Sequence, residues 1–116
     1  MYIEKLSQDH LILISDALDL RLLISKDSAM DDFQLIRVAE IKQRLSNQYD
    51  RLTQLMKSYI IGCLHDMVSL NTLTKKDVQS MEQNNPDKYN QLLLVIELIN
   101  LLLLKKDKPI TLARFK

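Results

Sequence analysis

Residues 91–106 read QLLLVIELINLLLLKK, and between Leu92 and Leu104 only Glu97 and Asn100 are polar. A membrane anchor, a buried core helix and a docking surface all begin from such a stretch. A bilayer-spanning helix needs about 20 apolar residues, whereas this run covers only about 20 Å of a hydrocarbon core near 30 Å. Glu97 in its middle adds several kcal/mol to the cost of insertion. No membrane partner is therefore expected. On a helical wheel Asn90, Glu97 and Asn100 share one side with Leu93, Leu101 and Leu104, so hardly any face suits water. The segment is expected to be the central helix of a bundle, or to hide part of its surplus against another chain, including a second copy in a homodimer.

The rest of the chain supports a helical frame around it. One glycine and two prolines among 116 residues leave little for tight turns, and the apolar fraction of 47% with 27% charged residues is that of a globular domain. A single cysteine, Cys63, forms no internal disulfide, so a cytoplasmic location is expected. The N-terminal segment has no basic lead and no small-residue cleavage site, unlike a secretory signal. Residues 1–106 are read as one domain and 107–116 as a basic, mostly extended tail.

The spacing of Leu6, His10, Leu13, Ala17, Leu20 and Ile24 predicts a first helix from about Ser7 to Lys26. Asp27-Ser28, followed by Asp31 and Asp32, signals a second start. An apolar seam then runs from Val38 through Ile41, Leu45, Tyr49, Leu52, Met56, Ile60, Cys63 and Met67 to Leu70 without losing phase. It predicts one long, continuous second helix that kinks near residues 46–48, where Ser46-Asn47 is the weakest point. Thr74 caps a short third helix, and Asn85-Pro86-Asp87 opens the last one, which runs to Lys106. The expected fold is an all-α bundle of about four helices, one of them short.

Chemistry is sparse. Cys63, His65 and Asp66 cluster, and the adjacent His-Asp is similar to the pair that holds metal in one class of phosphohydrolases, but neighbouring residues on a helix point about 100° apart. His10 is the only other histidine, and no zinc-ligand spacing occurs. The lone Gly62 lies inside a helical pattern, where it cannot form a phosphate loop and reads as a close helix-packing point or a mild kink. No metal, no cofactor and no catalytic residue are expected, and the chain is read as a non-enzyme.

Charge is segregated. Residues 1–40 carry eight acids against four Lys or Arg, and residues 41–116 carry seven against twelve. Asp9, Asp16 and Asp19 project from one side of the first helix as a candidate acidic patch. Arg37, Arg44 and Arg51 recur every seven residues beside Lys42, a candidate stripe for carboxylates or phosphates. Lys105, Lys106, Lys108 and Arg114 make the tail basic. Two functions follow as expectations. The first is a protein-binding module, an adaptor, chaperone or inhibitor of the immunity-protein kind that caps or blocks a larger protein. The alternative is a nucleic-acid-associated subunit that uses the arginine stripe and the tail.

Overall fold

Local hydrogen-bond chemistry accounts for where four of the helices begin in the computed structural model, which describes residues 6–24, 31–47, 51–103 and 108–111. The described residues form five α-helices and no strand: α1 (Gln8–Ile24), α2 (Asp31–Leu45), α3 (Gln54–Val68), α4 (Lys75–Asn84) and α5 (Pro86–Leu102). Ser7 starts α1. Its hydroxyl accepts the His10 N–H at 3.1 Å, and its own N–H donates to His10 Nδ1 at 3.2 Å. His10 thus fills the place that Glu takes in the usual capping box. Thr53 caps α3 by accepting the Met56 N–H. Thr74 and Asp77 form a full capping box at α4, and Asn85 caps α5 with Pro86 in its first turn, as expected.

The long second helix is corrected to two. As one helix the seam from Val38 to Leu70 would be about 50 Å long, whereas the longest dimension of the molecule is 38 Å. α2 ends at Leu45, and α3 begins at Gln54. Val38, Ile41, Leu52, Met56, Ile60, Cys63 and Leu70 are all buried nonetheless. Two helices that pack into the same core preserve the phase that one helix would have shown. Tyr49 and the Asp27-Ser28 start signal lie outside the described residues.

α1 packs against α3, α2 and α5, while α3 and α4 each pack against α5. Ile14, Leu18, Ile60, Leu64, Leu98 and Ile99 are fully buried side chains of this core. Each is worth about 1.5–3 kcal/mol when removed from water. α5 buries Leu92, Val95, Ile96, Leu98, Ile99 and Leu102 and ends at Leu103, short of the predicted Lys106. α3 ends on Ser69, whose left-handed backbone (φ 51°) lets its N–H reach the Asp66 and His65 carbonyls. A 3₁₀ turn, Leu70–Thr72, leads on to α4. Beyond α5, Ile110 lies half-buried against the core, and its N–H and carbonyl are both bonded at 2.8 Å by the Asn100 side chain.

Candidate functional site

The predicted basic stripe is divided by the break between α2 and α3. Arg37, Lys42 and Arg44 lie on α2, but Arg51 lies beyond its end. Arg37 pairs with Glu40 at 3.5 Å and stacks over the Phe33 ring. Lys42 reaches Asp19 on α1 at 2.5 Å. Arg44 donates to the Arg51 carbonyl at 3.1 Å and so ties the end of α2 to the start of the next element. On α1, Arg21 bonds Asp66 at 2.7 Å and lies over the Tyr59 ring. Every cation of α1 and α2 therefore already holds an intramolecular contact. Lys108 is exposed, and Lys105, Lys106 and Arg114 lie outside the described residues.

The acids behave differently. Asp9, Asp16 and Asp19 are exposed on α1, as is Asp32 near the start of α2. Asp19 is held by Lys42, whereas Asp9, Asp16 and Asp32 make no hydrogen bond or ion pair with any described residue. Beside them stands a set of apolar side chains that periodicity did not single out. Leu23 and Ile24 at the end of α1 are 68% and 65% exposed, and Leu35 and Ile36 near the start of α2 are 53% and 61% exposed. Ile12 and Phe33 are half exposed. A signal for the α2 group was present, because Phe33, Leu35 and Ile36 fall off the phase of Val38, Ile41 and Leu45. On α5 the exposed leucines are Leu93 and Leu101, with the exposed Glu97 one turn from each, and on α3 Leu55 is 70% exposed.

Around Cys63 the geometry is tight, and it is structural. Cys63 is 1% exposed, and burial above all pushes its thiol up to about 11 against the opposing pull of Arg21. A thiol held in its protonated form is a poor nucleophile. Burial, followed by the neighbouring Cys63, also raises Tyr59, while Arg21 opposes both; the Tyr59 hydroxyl donates to Gln34 Oε1 and links α3 to α2. Gly62 is not a close-packing point, because a Cβ there would meet only Arg21 Nη2 at an ordinary 3.6 Å. Asp66 is engaged with Arg21, and His65 lines a shallow cleft with Asp66, Ser69, Asn71 and Thr72. No group of three or more potential metal ligands comes together among the described residues.

His10 joins α1 to α5. Since Nδ1 accepts from Ser7, the neutral ring carries its proton on Nε2, which faces Glu97 Oε1 at 3.6 Å, beyond hydrogen-bond length. A small cleft of about 130 Å³ opens among α3, α4 and α5, lined by Met67, Met81, Lys88, Gln91 and Leu92. No described helix is long and apolar enough to cross a membrane. The most exposed large aliphatics of the described residues are thus Leu55 on α3, Leu23 and Ile24 on α1, and Ile36 and Leu35 on α2. The chain matches no family model, no characterised protein and no solved structure with which it was compared.

Proposed function

We propose that this chain is a non-enzymatic protein-binding module of the cytoplasm, an adaptor, chaperone or inhibitor that caps or blocks a larger protein through the outward face of α1 and α2. One observation carries the reading: Leu23, Ile24, Leu35 and Ile36 are each more than half exposed, and among the other large aliphatics of the described residues only Leu55 on α3 is exposed to that degree. Leaving them in water forgoes about 1–2 kcal/mol apiece that burial against a partner would recover. The nucleic-acid alternative loses support because Arg37, Lys42 and Arg44 are already engaged within the chain, Arg37 and Lys42 by the carboxylates of Glu40 and Asp19.

The test is retention of partner. The full chain, immobilised, is exposed to a nuclease-treated lysate of its native source and washed at about 0.5 M salt, where exposed charge pairs are screened and apolar contacts persist. One stoichiometric protein should stay bound to the native chain and be lost from a Leu35→Asp/Ile36→Asp variant with unchanged melting. Equal retention by both would place binding elsewhere. If no protein stays, and nucleic acid instead co-purifies at low salt when nuclease is omitted, the alternative prevails.

A further inference from the structure

His10 faces two elements, and only one of them satisfies it. On the α1 side its Nδ1 accepts the Ser7 N–H at 3.2 Å and completes the cap that the Ser7 hydroxyl begins at the His10 N–H. On the α5 side its Nε2 faces Glu97 Oε1 at 3.6 Å and has no hydrogen-bond partner, although the residue is only 6% exposed. A buried ring donor left unpaired costs free energy that an exposed one does not. The Glu97 side chain is largely exposed, and among the described residues it is the one charged group within ion-pair distance of the ring. α2 and α3 present none there, and the neighbouring Asp9 lies about 100° away round α1.

The two ring nitrogens respond oppositely to a proton. Nδ1 accepts from Ser7 through its lone pair, and a proton placed there sets donor against donor. Nε2 keeps its hydrogen, which then belongs to a cation and attracts the carboxylate. We propose that His10 is a proton-driven switch at the contact of α1 with α5: neutral, it caps α1 through Ser7; protonated, it gives up the Ser7 amide and pairs with Glu97. A gap of 3.6 Å against the about 2.7–2.9 Å of a charge-assisted bond is within reach of a flexible, exposed glutamate. The pairing also offsets the unfavourable placement of a cation in the first turn of a helix.

The experiment is a magnetic-resonance titration of the full chain, isotope-labelled, from about pH 8 to about pH 5, the interval in which imidazoles ordinarily change charge. At its start the ring nitrogens should report a proton on Nε2 and none on Nδ1, and the Ser7 amide proton should lie at the downfield position of a hydrogen-bonded amide. As the ring takes up its second proton, the Ser7 amide should move upfield along the same curve. Glu97→Gln should hold that proton about threefold less tightly, because the carboxylate is gone. His10→Gln keeps the cap, since glutamine takes the same place in a capping box without titrating, and its Ser7 amide should stay fixed over the whole interval. A Ser7 amide that stays still while the native ring titrates, or a ring that remains neutral at about pH 5 in the folded chain, overturns the switch. Equal proton affinity in the native and Glu97→Gln proteins removes the second partner and overturns the exchange. A Ser7 response that persists in His10→Gln belongs to another group and overturns it as well. Should His10→Gln fail to fold, the paired curves of ring and amide in the native chain decide alone.

Discussion

α5 and α2 are of similar length and both are rich in aliphatic side chains, yet they do opposite things with them. α5 buries six residues and contacts three other helices. α2 packs chiefly against α1, buries only Val38 and Ile41 fully, and turns Phe33, Leu35 and Ile36 outward. The more apolar helix is thus the structural one, and the helix with fewer apolar residues carries the surplus surface. Hydrophobicity alone does not identify an interface; what matters is how many neighbours a helix has to hide behind.

That contrast can be broken most directly by placing a charge on each helix. Leu98→Asp puts a carboxylate at a fully buried site in α5, and the cost of several kcal/mol should abolish the native fold. Ile36→Asp on α2 should change stability by no more than about 0.5 kcal/mol. Circular dichroism and thermal melting read both variants. A folded Leu98→Asp protein with native melting would refute the core role of α5, and an unfolded Ile36→Asp protein would show that α2 is no free surface.

A smaller effect tests how well the core is sealed along α3, where the helices that bury their side chains meet the one that does not. The unfolded Cys63 thiol loses its proton near 9.0, while the folded thiol keeps it to about 11. Across that window the unfolded chain binds fewer protons, so stability is fully present below pH 9 and declines as pH rises toward 11, by roughly 2–3 kcal/mol from this group. Cys63→Val should remove that part of the alkaline loss in denaturant melts. Equal alkaline slopes for the two proteins would mean that solvent reaches the thiol.

The smallest effect concerns Gly62 on the same helix. A methyl group there meets only the end of a flexible arginine, so Gly62→Ala should raise stability by about 0.5–1 kcal/mol through helix propensity. A loss of stability would mean that the Arg21 guanidinium, held over α3 by Asp66 and Tyr59, cannot give way.

Much of the frame was legible in the residues because helix starts are local. Ser7, Thr74 with Asp77, and Asn85-Pro86 satisfy amides within three or four positions, so spacing alone reveals them. Thr53 is hidden for a physical reason. The seam on either side of it keeps helical phase, since Leu45 on α2 and Met56 on α3 serve one core from two different helices. The site was less legible still. The charge pairs that decide it, Arg21 with Asp66 and Lys42 with Asp19, lie 45 and 23 positions apart, and no pattern within a helix anticipates them.

The sequence by itself determined that this chain is helical, where α1, α4 and α5 start, and that residues 92–102 belong to a helix too short to span a bilayer. These follow from hydrogen bonds and periodicities that act within a few residues. Only the tertiary structure decided that the seam is split between two helices, that the arginine stripe is occupied from within, and that Leu23, Ile24, Leu35, Ile36 and Leu55 stand exposed on α1, α2 and α3. Those depend on how far a helix can extend inside a molecule 38 Å long, and on which faces meet when five helices share one core.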